Sequence, residues 1–595
     1  MAVPYLGQVR LWWCDSCNVP LLEDMPCGIC SSKPRKADIS PPGESRPAFA
    51  FDLSLLRDAA APLGDLSLSG MVLLNKMGAL DRSDEVVVDG HVIGSLFFQG
   101  NSFHFSPRPI AFFFFSSFKK KVQVHPDILG FLAHGDLLVP GIVSSDPFSK
   151  GDEVIIFSGD TPVASGVARI DSSELPALKK GIAVRIRRFA PSVHSPKPPS
   201  SIELAIKANK AALSRKEKQA LGLIKSLQAK NLSVSYSGGK DSQVVLSLAR
   251  KALGNVPVIF IDTGVEFPET IEFVRSSCPS CLSASSGSFF KALDFFGPPA
   301  RDFRWCCKTC KIAPLNSLLS EHFPDGAASL DGERRYESFN RSKRGFSSSN
   351  PWAPSQRSFH PIGQWNSLDV WFYIFASGEP FNPLYALGHD RIGCWLCPAS
   401  TLSDFYLLER QHPALYQRWV SFLEQYSTSM GFPSSFISQG LWRVKSDYPP
   451  TSKPSSPSSF HIVQGVSPCK SGGFSLEASF STPLDLERIS NSLRILGEVS
   501  FSKDLGFLRV AFGGVSAVLH SSGTLRITGE GALDKAAFLI RDVVVKEMNC
   551  LGCGLCASKC RNISIKNNLA VISPSCTHCR DCLQSCPLLR YSPNL

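Results

Sequence analysis

Eight cysteines near the C-terminus constrain this chain more than any other feature of its 595 residues. They form two runs of the pattern Cys-x2-Cys-x2-Cys-x3-Cys, and Pro587 follows the second run. This spacing is typical of two [4Fe-4S] clusters, in which the fourth cysteine of each run binds the cluster of the other run. The sequence therefore predicts two ligand sets: Cys550, Cys553, Cys556 and Cys586 for one cluster, and Cys560, Cys576, Cys579 and Cys582 for the other.

Residues 549–595 are accordingly predicted to form a ferredoxin domain of the bacterial two-cluster type. Arg561 stands where a proline is usual in the first run, which is a small departure. Thiolate ligands and low solvent access suit one-electron transfer. We expect a fused electron-transfer module, and such a module needs a low-potential electron donor as its partner.

The compartment decides how the other cysteines are interpreted. The N-terminus lacks the basic and apolar regions of a secretory signal, and the apolar run at 110–115 is too short to cross a bilayer. We therefore expect a cytoplasmic protein that does not contact a membrane. In a reducing compartment, closely spaced cysteines are more often metal ligands than disulfides, and the 20 cysteines of this chain fall into clusters.

Two Cys-x2-Cys pairs, separated by nine residues, stand close to the N-terminus. Four thiolates in so short a segment predict one tetrahedral zinc ion, because such a segment has no core without a metal. The predicted ligands are Cys14, Cys17, Cys27 and Cys30. We expect a zinc ribbon over residues 1–45, with a structural or RNA-facing role.

Residues 121–188 alternate short β-rich runs with glycine turns, which predicts a small β-barrel. This segment resembles the PUA domain of RNA-modification enzymes. The resemblance implies a structured RNA partner, such as tRNA, whose phosphates would meet Arg185, Arg187 and Arg188 and the basic run at 119–121. A solvated basic edge strand is the alternative. The net charge of +11 suits a polyanion but is modest for a chain of this length.

A nucleotide site is predicted where the β-rich run 231–236 meets a helical run that starts at Gln243. Between them, two glycines allow close approach to a phosphate, the helix start supplies free N–H groups, and a lysine adds positive charge. The loop residues are Ser237, Gly238, Gly239, Lys240, Asp241 and Ser242. A second buried strand ends at Asp262, so we expect a doubly wound parallel sheet with its ligand at the strand ends.

The loop is similar to the PP-loop of adenine-nucleotide hydrolases, and residues 262–270 look like the matching strand end of phosphoadenylyl-sulfate (PAPS) reductases. Further matches follow in family order at 305–308, 332–341, 361–371 and 382–397. The resemblance implies an adenine nucleotide, which is PAPS, its adenylyl-sulfate (APS) counterpart, or ATP with Mg. It also implies that the loop cradles phosphate or sulfate, that Asp262 lies near the nucleotide, and that Arg334 and Arg341 clamp its anionic end.

The same resemblance implies a central [4Fe-4S] cluster, because family members that carry a cluster use a Cys-Cys pair and a Cys-x2-Cys pair. The implied ligands are Cys306, Cys307, Cys394 and Cys397. Cys310 leaves an alternative open, a zinc ion on Cys307, Cys310, Cys394 and Cys397. Cys278 and Cys281 form a further pair, which is a redox dithiol, a ligand pair for a second ion, or two inert loop thiols.

The chain departs from the family at the nucleophile. Sulfonucleotide reductases attack sulfate with a cysteine in a C-terminal Glu-Cys-Gly-Leu/Ile-His segment, and this sequence has no such segment. Cys469 is the candidate in its place, with Lys240 and Asp241 as the other catalytic candidates. The intact Lys240-Asp241 pair also looks like PP-loop enzymes that cleave ATP and adenylate a substrate.

Together these patterns predict a multidomain α/β protein. Three Pro/Ser-rich stretches are predicted to be linkers, at 31–48, 190–201 and 446–460. The expected units are a zinc ribbon at 1–45, a pre-PUA region at 46–120, a PUA-like domain at 121–190, a PP-loop domain at 202–445, a small α+β domain at 470–548 and the ferredoxin domain at 549–595. Residues 202–230 form a Lys/Ala-rich amphipathic stretch of good helix formers, which predicts helical structure leading into the PP-loop domain.

Three functions fit this arrangement. The first is reduction of PAPS or APS to sulfite, with electrons from the protein's own ferredoxin domain. The second is ATP-dependent thiolation of a structured RNA, in which the RNA is adenylated before sulfur enters. The third, from another class, is an RNA-binding redox sensor with an inactive nucleotide site. Five family motifs favour the first function, and one predicted barrel favours the second.

Overall fold

The computed structural model describes residues 11–227, 229, 231–287, 289–448, 460–466, 474–530, 532–567 and 569–591. It has the mixed α/β, multidomain architecture that the sequence predicts. Within the described ranges, we find no helix with the length and apolar character needed to cross a bilayer.

A three-stranded antiparallel sheet opens the chain, in the order β2-β1-β3. Its strands are β1 (Trp12–Cys14), β2 (Val19–Leu21) and β3 (Arg35–Lys36). The predicted linker at 31–48 is wrong, because this segment is packed: it contributes β3 and β4, and Ala37 and Ile39 are buried. Apolar side chains among the prolines and serines bind the segment to its neighbours.

The pre-PUA region forms a five-stranded antiparallel sheet in the order β4-β6-β7-β8-β9, covered by helix α1 and a β5–β10 pair. The bounds are β4 Ser45–Pro47, α1 Ala50–Ala60, β5 Gly64–Leu66, β6 Val72–Lys76, β7 Ser83–Val88, β8 His91–Gln99, β9 Ser102–Pro107 and β10 Phe115–Phe118. Alternating valines of β7 are buried against α1, so the region has a core of its own.

The PUA-like region forms a six-stranded sheet in the order β12-β16-β15-β14-β11-β13. The bounds are β11 Lys121–Val124, α2 Leu129–Leu132, β12 Leu137–Leu138, β13 Ile142–Ser145, β14 Glu153–Ser158, β15 Thr161–Ala168 and β16 Ile182–Phe189. The β-rich runs predicted within residues 121–188 include β12, β14 and β16, which surround a core that includes Val154 and Ile156.

The stretch predicted to be helical at 202–230 forms two helices, α3 (Ile202–Ala208) and α4 (Lys210–Ser226). They meet at the buried Asn209, whose amide accepts the N–H of Leu22 at 2.9 Å and donates to the carbonyl of Pro20 at 2.8 Å. These long-range hydrogen bonds to the N-terminal sheet accompany the break between the two helices. Helix propensity near residue 209 does not predict that break.

The central domain contains a six-stranded sheet in the order β19-β18-β17-β20-β22-β21, parallel except for the edge strand β21. The strands are β17 Leu232–Ser235, β18 Val258–Asp262, β19 Leu282–Ser285, β20 Ala327–Leu330, β21 Ser347–Asn350 and β22 Ala353–Phe359. The helices are α5 Lys240–Leu253, α6 Pro268–Ser277, α7 Phe289–Phe296, α8 Ala313–His322, α9 Phe339–Ser342, α10 Ser367–Ser377, α11 Leu402–Gln411, α12 Pro413–Met430 and α13 Ser435–Ser438. The predicted parallel sheet is confirmed.

The C-terminal part is a six-stranded antiparallel sheet in the order β23-β24-β28-β27-β26-β25, followed by a β29–β30 hairpin and two short helices. The bounds are β23 Phe460–Val466, β24 Phe474–Phe480, α14 Leu486–Leu493, β25 Glu498–Ser502, β26 Phe507–Phe512, β27 Val515–His520, β28 Thr524–Gly529, α15 Leu533–Met548, β29 Ile563–Lys566, β30 Leu569–Ile572, α16 Asp581–Gln584 and α17 Pro587–Arg590. Helices α14 and α15 share one core with the cysteine-rich segment.

A buried charge network joins the pre-PUA sheet to the central domain. Asp52 pairs with Arg46 at 2.7 Å and with Arg82 at 3.0 Å. Arg82 also pairs with Asp84 at 2.9 Å and donates to the carbonyl of Gly388 at 2.8 Å. Removing one member would leave another charge buried without its partner, so the network fixes how the two domains pack.

Candidate functional site

The loop after β17 has the geometry of an anion site. Gly238 adopts a left-handed φ of 72°, and a Cβ there would lie 3.0 Å from Val274 and 3.2 Å from Thr270 of α6. Glycine is therefore required both by the backbone and by the close approach of α6. Helix α5 begins directly after the loop, and the backbone N–H of Lys240 donates to the Tyr385 hydroxyl at 3.0 Å.

The charged side chains of this loop form a buried chain. Lys240 Nζ lies 2.7 Å from Asp241, and Asp241 accepts from Arg334 Nε at 2.5 Å. Burial opposes the ionisation of Asp241, yet the charges of Arg334 and Lys240 hold its pKa below the usual value. Arg334 is only 2% exposed and binds Glu44 as well, at 3.0 and 3.1 Å. Its guanidinium is thus engaged by two carboxylates.

Glu44 is a residue that sequence reasoning missed. It lies in the predicted linker, yet its carboxylate reaches Arg334 and accepts the N–H of Ser367 at 3.0 Å. Arg341, the second predicted clamp, is partly exposed and pairs with Glu337 at 2.5 Å. It lines a basic cavity of about 160 Å³, together with Arg334, Arg335 and Arg344. The Asp262 carboxylate, at the end of β18, accepts the N–H of Gly264 at 2.8 Å.

The central cysteines meet the sheet beside the loop. Cys394 Sγ lies 3.3 Å from the Thr263 hydroxyl and 3.7 Å from Glu266, just beyond β18. The hydrogen bond with the Cys307 thiol, burial, and the charges of the Cys394 and Cys397 thiols raise the pKa of Cys306, so these four side chains are neighbours. Glu266 is a buried neighbour that the motifs did not indicate.

Cys307 begins a π-helical turn over Cys307–Ile312. The hydrogen bond from the Cys306 thiol, with basic side chains such as Arg304, lowers the pKa of Cys307 to about 6, although burial opposes its ionisation. Cys310 lies 1% exposed in the apolar core of Trp305. The turn therefore presents Cys306 and Cys307 to the other pair and directs Cys310 into the core.

Thiol spacing separates the cysteine groups. Four thiolates that lie 2.3 Å from one zinc ion are about 3.8 Å apart. Cys14 and Cys30 have Sγ atoms 3.4 Å apart, and those of Cys17 and Cys27 are 3.9 Å apart. In the described part of the chain, no other group of three or more His, Cys, Asp or Glu brings its ligand atoms within 4.8 Å. The N-terminal four can hold one metal ion, and the alternative zinc set around Cys310 is not assembled.

The C-terminal cysteines enclose a cavity of about 340 Å³. Its lining includes four thiols that are contributed by both runs, namely Cys550, Cys553, Cys556 and Cys586. These are the residues predicted for one cluster. Burial raises the pKa of Cys582, and so do the nearby thiols of Cys560 and Cys576, which belong to the second set. Cys579, the fourth member of that set, is exposed.

Lys546 of α15 lines the same cavity. It is 1% exposed, and its Nζ has no hydrogen-bond partner among the described residues. A buried ammonium is costly unless a negative charge accompanies it. A cluster bound by four thiolates carries that charge, so the donor set and the orphaned lysine both fit a [4Fe-4S] group.

The cysteine-rich segment docks on the central domain beside the central cysteines. The rings of Tyr591 and Phe303 lie 5.5 Å apart. Arg590 and Lys308 both lie over the Trp352 ring, at 4.7 and 4.5 Å. Cys586 and Leu588 share a core with Trp305 and Cys394. The cavity lined by Cys586 therefore lies on the side that faces the central cysteines.

The remaining predicted residues lie elsewhere. Cys278 is buried beside Tyr236, and its carbonyl accepts the N–H of Cys281 at 3.1 Å. Cys469 lies outside the described residues. The three predicted RNA contacts share strand β16, half-exposed, and each has a carboxylate neighbour: Arg185 with Asp136, Arg187 with Glu153 and Arg188 with Asp38.

Comparisons with known proteins agree with this geometry. The "Phosphoadenosine phosphosulfate reductase domain" family matches residues 231–400, and the "PUA domain" family matches residues 120–190. An adenosine 5'-phosphosulfate reductase of Lysinibacillus sphaericus is 30% identical over 178 residues, which are 28% of this chain and 74% of that enzyme. The chain belongs to the phosphoadenosine phosphosulfate reductase family.

The similarity to other proteins extends beyond the nucleotide domain. An uncharacterised protein of Methanocaldococcus jannaschii is 32% identical over 468 residues, which are 74% of this chain and 97% of that protein. Among solved structures, the phosphoadenylyl-sulfate reductase of Candida auris in its phosphate complex is similar, with 20% identity and a TM-score of 0.25, over 31% of this chain and 96% of that one.

Proposed function

We propose that this protein reduces an adenylyl sulfate, APS or PAPS, to sulfite, with electrons delivered by its own C-terminal domain. The observation that carries this proposal is the placement of Cys394 3.3 Å from Thr263, at the strand end beside the PP-loop. The central thiols and the nucleotide loop thus share one edge of the sheet. The similarity of residues 231–400 to the reductase family supports the same chemistry.

The cofactors follow from the cysteine groups. Cys14, Cys17, Cys27 and Cys30 hold zinc, Cys306, Cys307, Cys394 and Cys397 hold one [4Fe-4S] cluster, and the eight C-terminal cysteines hold two more. Two electrons break the bond between the sulfate sulfur and the bridging oxygen, and that oxygen leaves on the nucleotide. APS therefore gives sulfite and AMP, and PAPS gives sulfite and adenosine 3',5'-bisphosphate. The two C-terminal clusters would supply one electron each when bound.

The chain's own residues bind and orient the nucleotide. The loop backbone and the start of α5 offer N–H groups to a phosphate, and Lys240 adds a positive charge that is already partnered by Asp241. Arg341, on the basic cavity, meets the anionic end of the nucleotide. Arg334 holds the loop through Asp241 and ties it to Glu44 of the N-terminal part.

The test is an anaerobic incubation of the reconstituted protein with a reductant and, separately, APS or PAPS. Sulfite is measured in both arms, together with AMP from APS or adenosine 3',5'-bisphosphate from PAPS. Wild-type protein forms both products. Lys240→Met lowers the rate by about 100-fold, because the positive charge that the lysine places beside the phosphate is lost. Lys251→Met is the matched control at the other end of α5, where the ammonium pairs with Glu217. Equal rates for Lys240→Met and Lys251→Met would contradict the assigned site.

A second function is supported by the PUA match at 120–190. In it, ATP adenylates a carbonyl oxygen of a structured RNA and releases pyrophosphate, and sulfide then displaces AMP, which carries that oxygen away. ATP with Mg, tRNA and sulfide replace the sulfonucleotide in the same assay. AMP and a thionucleoside that form only with tRNA, and not after alanine substitution of Arg185, Arg187 and Arg188, would favour this function over the first.

A further inference from the structure

We propose that the Lys546 ammonium is a fixed counter-charge that raises the reduction potential of the cluster held by Cys550, Cys553, Cys556 and Cys586. We call this four-cysteine group the inner site, and the group of Cys560, Cys576, Cys579 and Cys582 the outer site. The inference rests on the proposed iron–sulfur occupancy of both sites. It gives Lys546 a function in electron transfer that goes beyond the assigned reaction.

The surroundings of Lys546 leave its charge unpaired by protein. The side chain is 1% exposed, and its Nζ finds no hydrogen-bond partner in the part of the chain that the structure describes. Glu547, the next residue, does not compensate it, because that carboxylate accepts from Arg488 at 2.9 Å and from the Ser492 hydroxyl. The ammonium therefore needs an anion that the protein side chains do not provide.

The position of Lys546 directs its charge to the inner site. It lines the cavity of that site, and its charge interacts most strongly with Cys556, Cys586 and Cys550, in that order. Cys582 of the outer site follows these three. Lys546 therefore lies within electrostatic reach of three inner-site thiols and of one outer-site thiol.

The two sites differ in solvent access. Cys550, Cys556 and Cys586 are buried, whereas Cys579 is exposed and Cys576 is half-buried. A four-thiolate cluster gains a negative charge on reduction, so burial alone disfavours the reduced state of the inner cluster. A buried ammonium beside it offsets this penalty. Lys546 therefore allows the inner cluster, which faces the central cysteines, to accept electrons from the exposed outer one.

The test is an anaerobic redox titration of the full-length reconstituted protein, followed by EPR, with iron content measured in parallel. Lys546→Met keeps the apolar stem and removes the charge, and Lys546→Arg keeps the charge. Lys535→Met is the control, because Lys535 is exposed on the same helix. A Cys579→Ser variant assigns the outer signal.

We expect Lys546→Met to lower the equilibrium constant for reduction of the inner cluster at least tenfold, which is about 59 mV, with a smaller shift at the outer cluster. Lys546→Arg and Lys535→Met keep the wild-type potentials. If Lys546→Met loses the inner cluster and Lys546→Arg retains it, the charge requirement stands. Loss in both variants, or an unchanged inner potential in Lys546→Met, would overturn the inference. Absence of iron from the eight cysteines in wild-type protein would overturn the proposed iron–sulfur domain itself, which separates the two failures.

Discussion

The N-terminal and C-terminal cysteine groups share the Cys-x2-Cys pair but hold their thiols in different ways. At the N-terminus, the Sγ atoms of Cys14 and Cys30 are 3.4 Å apart, as one tetrahedral ion requires. At the C-terminus, four cysteines surround a cavity of about 340 Å³ that also contains a buried lysine. The spacing of the pairs thus indicates a metal site, whereas the surrounding fold decides whether the thiols converge on one point or line a larger cavity.

The neighbours of the two groups differ as well. The N-terminal group sits on a small sheet that packs against α3, and it is far in sequence from the nucleotide loop. The inner C-terminal site shares its cores with α15 and with the central cysteines. The first group therefore belongs to a small module with its own core, and the second lies next to the central cysteines.

The largest effect is expected from a substitution in the N-terminal cysteine group. Cys17→Ser removes a ligand from the single-ion site, and structural zinc contributes about 10 kcal/mol or more to the folding of small modules. We expect loss of zinc and of hydrogen-exchange protection in β1–β3 and α3. The EPR signals of the iron clusters stay as in wild type. Loss of those signals in Cys17→Ser would show that the two groups are not independent.

The next effect concerns the buried charge network between the pre-PUA sheet and the central domain. Asp52→Asn leaves Arg46 and Arg82 buried without their shared carboxylate, at a cost of about 3–5 kcal/mol in the free energy of unfolding. Denaturant unfolding measures it, and Asp58→Asn, on the exposed side of α1, is the control. Equal stability of the two variants would contradict the role given to the network.

Acid provides a second measure of that network. Burial opposes ionisation of Asp52, but Arg46 and Arg82 lower its pKa to about 2. A carboxyl with a depressed pKa contributes stability that is present above the unfolded pKa of about 3.9 and is lost as the pH falls through the folded pKa. We expect wild-type stability to fall between about pH 4 and pH 2, and to fall less steeply in Asp52→Asn.

A smaller effect, about 100-fold in rate, tests which cysteines are ligands at the central site. Cys307→Ser removes a ligand of the central site and is expected to lower sulfite formation and the iron content together. Cys310→Ala removes the neighbouring thiol, which points into the core, and keeps both. If Cys310→Ala loses the iron while Cys307→Ser keeps it, the central ligand assignment is wrong.

The smallest effect tests the docking of the C-terminal domain. Arg590 and Lys308 both lie over the Trp352 ring, and each such contact is worth about 0.5–1 kcal/mol. We expect Trp352→Leu to slow sulfite formation by less than about tenfold while cluster potentials stay unchanged. A changed potential with an unchanged rate would mean that this contact tunes a cluster and does not hold the domain.

Local patterns were sufficient for much of this architecture. The parallel sheet follows from buried strands that end in polar loops. The spacing of the two runs predicted Cys586 as a partner of Cys550, Cys553 and Cys556, and these four residues line one cavity. Gly238 was predicted as a loop glycine, and its left-handed φ of 72° shows why.

Other features depend on distant partners. Glu44 reads as part of a Pro/Ser-rich linker, because nothing near residue 44 indicates a partner at residue 334. Asn209 reads as an ordinary residue of a long helix until its bonds to the N-terminal sheet are seen. Lys546 reads as a solvated lysine on an amphipathic helix, and only the tertiary fold reveals that it is buried against cysteines.

In the proposed function, this chain feeds electrons from its own C-terminal domain into sulfonucleotide reduction. The most direct measurement is a single turnover: the protein is reduced, freed of excess reductant, and mixed anaerobically with APS or PAPS. We expect sulfite to form in an amount equal to the nucleotide product, which is AMP from APS or adenosine 3',5'-bisphosphate from PAPS, while the EPR signals of the reduced C-terminal clusters disappear. Reduced signals that persist without sulfite, in protein that binds the nucleotide, would contradict it.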